Sequence, residues 1–289
     1  MDTYQKEIQK ELLKYGSFTE AIKQNGVLPT IDFALSIILD AISKKFYKPT
    51  STDFTLQEAV FRSRNIDQFE RYAGAIKEIR KIDASHLSVL EVGAGGEGAS
   101  FFSSLLRGPC DFFLLDIRKD AFSGLKNKQA IIGDGCKLPF KDKSFDVVVS
   151  VDSLEHIPKS KRQNFYKELK RVGLKRLIIA CPLQSDDGLF QGKKYDAIYQ
   201  HFYKCNHGFK EPNTAQHIAS SHPTVEEITQ FLNPIIHGYK NCTVWLSYML
   251  FSDKPFIGFF SGFLYFFFWK KNNEKPPYWG AIITSDLEK

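Results

Sequence analysis

The chain has 289 residues, of which 43% are hydrophobic and 25% are charged, an ordinary composition for a folded globular protein. Its 39 basic and 33 acidic residues are scattered and give a net charge of +6, which argues against a nucleic-acid-binding surface. The five cysteines form no C-x-x-C pair, so we expect neither a disulfide framework nor a zinc knuckle. This cysteine usage and an N-terminus without an apolar signal-peptide core predict a cytoplasmic protein.

The first 85 residues show apolar side chains at three- and four-residue spacing, which predicts helices. The last of these helices covers "DQFERYAGAIKEIRKI", which begins at Asp67. We therefore expect residues 1–85 to form an N-terminal helical cap and residues 86–289 to form a second domain.

From Leu87 onward, short apolar runs alternate with helical stretches such as "KSKRQNFYKELKRVG". Five runs predict strands buried on both faces of a parallel sheet: "LSVLEVG", "FFLLDI", "QAIIGD", "FDVVVSV" and "RLIIACPL". Further along, "KNCTVWLSYM" and "YWGAIITSDL" predict two more strands, after a helix that opens on a Thr224 to Glu227 capping box. The fold class is therefore α/β, with a doubly wound, mostly parallel, seven-stranded sheet.

Two long pieces interrupt this pattern. Residues 184–222 form an irregular insertion, which we expect to act as a lid over the ligand crevice. Residues 251–269 form an apolar aromatic segment, in which the 14 residues from Phe256 to Trp269 carry no charge and are too short to span a bilayer. Two interpretations stay open for this segment: an ordinary buried helix, or a helix lying at a membrane surface that presents a lipid-linked acceptor.

The stretch "VLEVGAGGEG" predicts a ligand-binding turn between a strand and a helix. Gly93, Gly95 and Gly98 fit G-x-G-x-x-G, which by itself is a weak dinucleotide signal. Glu91 stands where a carboxylate can organise the turn and reach an ammonium group on the ligand, a group that a hydride-transfer cofactor lacks. Asp116 closes the next strand, where it can accept both hydroxyls of a ligand's ribose, whether or not that ligand also carries an ammonium group. Asp116 could instead cap a helix.

The third strand is followed by Asp134, which can accept from the exocyclic amine of an adenine. The fourth strand continues as "FDVVVSVDSLEHIP". With these motifs, Phe69 to Leu183 resembles the class I S-adenosylmethionine-dependent methyltransferases, specifically the group that methylates small molecules, whose fold is Rossmann-like.

The resemblance implies S-adenosylmethionine as cofactor and a set of contacts to it. The methionine portion would be held at the glycine turn and beside the backbone of the fourth strand, and the nucleoside would lie at the ends of the second and third strands. The implied residues are Glu91, Gly93, Ala94 and Gly95 at the turn, Asp116 and Ile117 for the ribose and adenine, Asp134 and Gly135 for the adenine edge, and Ser150 and Val151 on the methionine side. Glu97 stands where the family commonly has a glycine, which puts the contacts of Gly96 to Gly98 in doubt.

Methylation of an oxygen also requires removal of a proton, and Asp152, Glu155 and His156 follow the fourth strand as candidate bases. The insertion adds His201, His207, His217 and His222, but "HFYKCNH" has no companion pair, so we predict no metal site. The fourth strand lacks the Asn/Asp-Pro-Pro-Tyr signature of enzymes that methylate base amines, so a small-molecule or lipid-linked acceptor is expected. Two alternatives remain: an NAD(P)-dependent oxidoreductase and a non-catalytic binding protein on the same fold.

Overall fold

The computed structural model describes residues 66–95, 110–122, 129–207, 210–219, 221–239 and 275–288. Four predicted elements lie outside these residues: the helices before residue 66, the helix after the glycine turn, the strand "KNCTVWLSYM" and the aromatic segment 251–269. No helix within the described ranges is long and apolar enough to cross a membrane.

The described residues form five α-helices and seven strands. The helices are α1 (Ile66–Arg80), α2 (Lys159–Val172), α3 (Gly192–His207), α4 (Pro212–Ala219) and α5 (Val225–Phe231). The strands are β1 (Leu87–Val92), β2 (Cys110–Asp116), β3 (Ala130–Ile132), β4 (Phe145–Val151), β5 (Gly173–Pro182), β6 (Ile235–Tyr239) and β7 (Gly280–Asp286). Two short 3₁₀ helices, Lys119–Phe122 and Leu154–His156, follow β2 and β4.

The strands form one mixed sheet in the order β3-β2-β1-β4-β5-β7-β6. Strands β1 to β5 pair in parallel, whereas β7 runs antiparallel to both β5 and β6. The chain passes from β1 to β2 on one side and later returns to β4 on the other, so the strand order reverses at β1. In an open α/β sheet this reversal leaves a crevice beyond the carboxyl ends of the central strands, where ligands bind.

Hydrophobic side chains cover both faces of the sheet, as strands buried on both sides require. One core cluster joins α1 to one face through Ile76 and Val149, and the other joins α2 to the opposite face through Phe165 and Val148. The alternation of Val148 and Val149 between the two clusters follows from the two-residue period of a strand.

The sixth strand of the sheet is formed by Ile235–Tyr239, a run that the sequence did not predict as a strand. The predicted strand "KNCTVWLSYM" lies outside the described residues. β6 is the edge strand beside β7 and is only partly covered: Ile235 and His237 are exposed, and Tyr239 is buried. A short run that is half polar and contains Gly238 gives a weak strand signal in the sequence.

The insertion contains two helices, α3 and α4, where we expected irregular structure. Tyr195, Ile198, Tyr199 and Phe202 do have helical spacing, but tyrosine gives an ambiguous apolar pattern. After the insertion, Thr224 caps α5, because its Oγ1 accepts from the Glu227 backbone N–H at 3.1 Å. The Glu227 carboxylate accepts from the Arg162 guanidinium at 3.1 Å, so the helix start is tied to α2.

Candidate active site

A cavity of about 770 Å³ opens beyond the carboxyl ends of the central strands. It is lined by the ends of β1, β2, β3 and β4, which form one wall, and by residues from α1, the insertion and Trp279. This volume falls within the range of small-molecule sites, about 300 to 1,000 Å³. The cavity lies where the strand order predicts a ligand crevice.

The glycine turn after β1 forms the narrow part of this wall. The backbone N–H groups of Gly93 and Ala94 both donate to the Leu115 carbonyl, at 2.8 and 3.1 Å, which fixes the turn against β2. Gly93 has a φ of +80°, and a Cβ placed there would lie 2.0 Å from Ser153 Oγ. Gly95 also has a positive φ, +49°, and a Cβ there would meet nothing within 4 Å, so its backbone faces open space.

Asp116 lies beside this turn at the end of β2. Its Oδ2 accepts from the Gly95 N–H at 2.9 Å, and its Oδ1 accepts from the Arg118 N–H at 2.8 Å. Each carboxylate oxygen can accept a second hydrogen bond, so the side chain keeps capacity for ligand hydroxyls. Ile117 follows on the same wall with 68% of its surface exposed, which is unusual for a large apolar side chain.

The loop after β3 continues the wall with Asp134 and Gly135. The Asp134 carboxylate accepts from the Cys136 N–H at 2.8 Å and remains exposed. A Cβ on Gly135 would lie 2.7 Å from the ring of Phe165, so close packing on α2 requires glycine there. Val151 also lines the cavity.

Three expected site residues lie behind this wall. Glu91, Ser150 and Glu155 are buried and do not line the cavity. Burial raises the pKa of the Glu91 carboxyl well above its usual range, while the neighbouring Tyr72 hydroxyl opposes the rise. The Ser150 hydroxyl donates to the Val92 carbonyl at 3.0 Å. Glu91 therefore lies beneath the turn, and its side chain does not reach the cavity as we expected.

Asp152 and His156, two of the candidate bases, do line the cavity. Asp152 adopts a positive φ of 49°, which Asp tolerates better than most residues, and its Oδ2 lies 2.5 Å from the Arg71 guanidinium. Arg71 comes from α1 and also stacks over the ring of Trp279 at 5.8 Å. The described end of the N-terminal segment thus contributes directly to the site.

His156 belongs to a chain of polar side chains that extends into the insertion. Its Nε2 lies 3.0 Å from Nε2 of His217, and its Nδ1 lies 3.1 Å from Oε1 of Gln216. His217 Nδ1 lies 3.1 Å from Oδ2 of Asp196. Asp196 also accepts from His222 at 3.0 Å and from the Trp279 indole at 2.6 Å. Asp196 therefore connects the insertion to Trp279, the residue immediately before β7.

The charges in this network shift several pKa values. Burial acts to raise the pKa of Asp196, but hydrogen bonds from His217, His222 and Trp279 outweigh it and lower the value to about 2. Burial alone would lower the pKa of His217, but Asp196 and Glu155 raise it. Burial and the neighbouring His217 lower the pKa of His156. Burial, followed by Asp152, raises the pKa of Glu155 to about 8.

Sequence reasoning missed several cavity residues. Asp196, Arg71 and Trp279 carried no motif, and their position depends on tertiary contacts between distant segments. Ser153 lies within the fourth-strand motif but was not predicted as a site residue. His217 was one of four insertion histidines, and no local pattern distinguished it. Among the three of those histidines whose side chains the structure describes (His201, His217 and His222), only His217 lines this cavity.

Comparison with known proteins defines the class of this domain. Residues 90–176 match a family model described as "Methyltransferase domain". The matched stretch runs from β1 to β5 and includes the glycine turn, Asp116 and the β4 end. The chain therefore carries a methyltransferase domain of the type that uses S-adenosylmethionine, as the sequence motifs predicted.

Two curated relatives match over part of their length. The chain is 32% identical over 115 residues to a fatty-acid O-methyltransferase of Mycolicibacterium smegmatis, which covers 37% of this chain and 41% of that protein. It is 35% identical over 97 residues to a probable phthiotriol/phenolphthiotriol dimycocerosates methyltransferase of Mycobacterium ulcerans. This match covers 31% of this chain and 36% of that protein. The chain thus spans less than half the length of these relatives. Among solved structures, it is similar to a magnesium protoporphyrin IX methyltransferase from Synechocystis with bound SAH. The sequence identity is 12% and the TM-score is 0.43, and the match covers 85% of this chain and 94% of that chain.

Proposed function

We propose that this protein transfers a methyl group from S-adenosylmethionine to an oxygen of a small-molecule or lipid-linked acceptor. One observation carries the proposal: the open backbone at Gly95, the Asp116 carboxylate and the exposed Ile117 lie on one wall of a single cavity. A second wall of different chemistry, contributed by the insertion, lines the same cavity. The cavity therefore has one side suited to the cofactor and another suited to an acceptor.

The residues of the first wall fit an adenosine-containing cofactor. Asp116 offers two carboxylate oxygens with remaining acceptor capacity, as a ribose diol requires. Ile117 offers an apolar surface for a base, and Asp134 offers an exposed carboxylate for an amine at the base edge. The backbone at Gly95 leaves room for the amino-acid portion.

S-adenosylmethionine, when bound, supplies a methyl group on a positively charged sulfur. After the transfer, the rest of the cofactor leaves as S-adenosylhomocysteine. The protein's contribution to such an in-line displacement is chiefly to align the acceptor oxygen and exclude water. Residues of the insertion line the same cavity as Gly93 to Gly95, and we propose that residues 184–222 act as the lid there. Asp152 and His156 line the space between the two walls, where an acceptor hydroxyl would lose its proton.

The names of the partial relatives support the acceptor class. One is a fatty-acid O-methyltransferase, and the other is named for a lipid-like dimycocerosate substrate. A fatty-acid carboxylate would need no proton removed before it accepts a methyl group. We therefore propose lipid-like carboxylates and hydroxyls as the first acceptors to test. We also propose that the uncharged aromatic segment 256–269 contacts a membrane.

The oxidoreductase alternative is less well supported. A dinucleotide fold of the common type has six parallel strands in the order 3-2-1-4-5-6, whereas β7 here lies antiparallel between β5 and β6. Calorimetry with S-adenosylhomocysteine and with NAD separates the two functions. We expect saturable binding of S-adenosylhomocysteine and none of NAD, and the reverse result would overturn the proposal.

A further inference from the structure

The facing rings of His156 and His217 have an unusual arrangement of nitrogens. Their Nε2 atoms lie 3.0 Å apart. Nδ1 of His217 faces the Asp196 carboxylate at 3.1 Å, and Nδ1 of His156 faces the amide oxygen of Gln216 at 3.1 Å. The oxygen atoms beside both Nδ1 atoms can accept the Nδ1 proton of each ring, and the two Nε2 atoms then face each other. At 3.0 Å, two Nε2 atoms require either a shared proton or a metal ion between them.

The same arrangement is typical of imidazoles that bind metals. A ligating histidine almost always donates its other ring N–H to a carboxylate, a carbonyl oxygen or water, which fixes its tautomer and orientation. Asp196 and Gln216 do this for the two rings. Asp196 is itself held by His222 and by the Trp279 indole, so the orientation of His217 is determined by buried contacts.

A third ligand lies beside the two rings. Glu155 Oε1 is 4.0 Å from His217 Nε2, and the three potential ligand atoms of Glu155, His156 and His217 all lie within 4.8 Å of one another. Ligands about 2.1 Å from one ion lie roughly 3 Å apart when adjacent and about 4.2 Å apart when opposite. The two nitrogens therefore already have the spacing of adjacent ligands, and the Glu155 oxygen would have to move closer to the ion on binding.

We propose that Glu155, His156 and His217 bind one divalent first-row transition-metal ion at the cavity wall. Two imidazoles with one carboxylate suit ions such as Co²⁺, Zn²⁺ or Mn²⁺ better than Mg²⁺ or Ca²⁺, which prefer oxygen ligands. This departs from the sequence-based expectation of no metal site. The sequence placed Glu155 and His156 together but gave no reason to join them to His217, which lies in α4.

The proposed ion would have coordination positions free on the cavity side, because His156 and His217 both line the cavity. Its role in catalysis rests on the proposed methyltransferase function. There it would hold the acceptor oxygen in line with the methyl group, while the O–CH₃ bond forms and the S–CH₃ bond breaks. With His156 bound to the ion, Asp152 would take the proton of a hydroxyl acceptor, and a carboxylate acceptor would release none.

Metal binding can be tested without any methyl-transfer assay. The full chain is treated with a chelator, dialysed and titrated with Co²⁺, followed by calorimetry and visible absorption. We expect one Co²⁺ per chain, and at least a tenfold weaker affinity in His217→Asn. His201→Ala is the matched control, because His201 is an exposed histidine on α3, and it should bind Co²⁺ like the wild type. A cooperative unfolding transition establishes that each variant is folded.

Two results would overturn the metal site. One is equal Co²⁺ affinity in His217→Asn and wild type, which indicates adventitious surface binding. The other is no saturable Co²⁺ binding, in which case a proton lies between the rings. If His217→Asn does not fold, X-ray absorption of the Co²⁺-loaded wild type decides: two imidazole ligands support the site, and a shell of oxygens alone refutes it. Calorimetry with S-adenosylhomocysteine on the same sample reports separately on the proposed function.

Discussion

Replacing Asp116 with alanine should weaken cofactor binding while leaving the fold intact. The carboxylate accepts from the Gly95 and Arg118 N–H groups at 2.9 and 2.8 Å, and it keeps lone pairs for the ribose hydroxyls. A hydrogen bond to a charged acceptor contributes about 1.5 to 3 kcal/mol. Losing one such bond therefore raises the dissociation constant roughly 10- to 150-fold.

Two further variants make this test specific. Asp116→Asn keeps the size of the side chain and one accepting oxygen, so its loss of affinity should be smaller than that of Asp116→Ala. Asp120→Ala removes an exposed carboxylate four residues along the chain and should bind like the wild type. Calorimetry with S-adenosylhomocysteine measures all three, and thermal unfolding checks the fold. An unchanged dissociation constant in folded Asp116→Ala would remove this residue from the cofactor site and refute the reasoning.

Two other predictions concern the glycine turn and the aromatic segment. Gly93→Ala and Gly188→Ala both place alanine at a positive φ, of 80° and 75°, but only the Cβ at Gly93 meets Ser153 Oγ, at 2.0 Å. Urea unfolding should therefore show a loss of stability roughly 1 to 3 kcal/mol larger for Gly93→Ala, and equal losses would contradict the packing argument. In liposome flotation, the wild type should float, and a variant with serine at Phe259, Phe263 and Phe267 that still binds S-adenosylhomocysteine should not. Wild-type protein that stays in solution with both anionic and neutral liposomes would rule out the membrane contact.

The strands of the sheet could be predicted because their signals are local. β4 begins at Phe145 and ends at Val151, as its apolar run indicates, and the predicted second and seventh strands overlap β2 and β7. A strand that is buried on both faces must be apolar along its length, so its limits are visible in the sequence. β6 at the sheet edge lacks this constraint, and the sequence therefore did not predict it.

The gathering of the proposed cofactor residues could also be predicted, because strand ends in a parallel sheet meet at one edge. Gly93, Gly95 and Asp134 come within three residues of the end of a strand, and Asp116 is the last residue of β2. The prediction was less good for Glu91, since its distance along the chain from the turn does not show on which side of the strand its carboxylate lies. In the folded protein it points into the core beside Tyr72.

The acceptor side could not be predicted, because it depends on contacts between distant segments. Arg71 from α1 reaches Asp152 after β4, and Trp279 before β7 reaches Asp196 in α3. The pairing of His156 with His217 joins the β4 end to α4. No periodicity or motif in a single sequence specifies which of several histidines meets which carboxylate.

The most direct test of the proposed function is turnover with S-adenosylmethionine. The purified protein, with and without added Co²⁺, is incubated with S-adenosylmethionine and separate fractions of fatty acids, extracted lipids and small metabolites. Mass spectrometry then measures S-adenosylhomocysteine and methylated products. We predict that S-adenosylhomocysteine and a methylated oxygen compound form in equal amounts in at least one lipid-containing fraction, and that Asp116→Ala slows both at low cofactor concentration. A protein that binds S-adenosylhomocysteine yet forms no methylated product in any fraction would contradict the catalytic proposal and support a non-catalytic binding role.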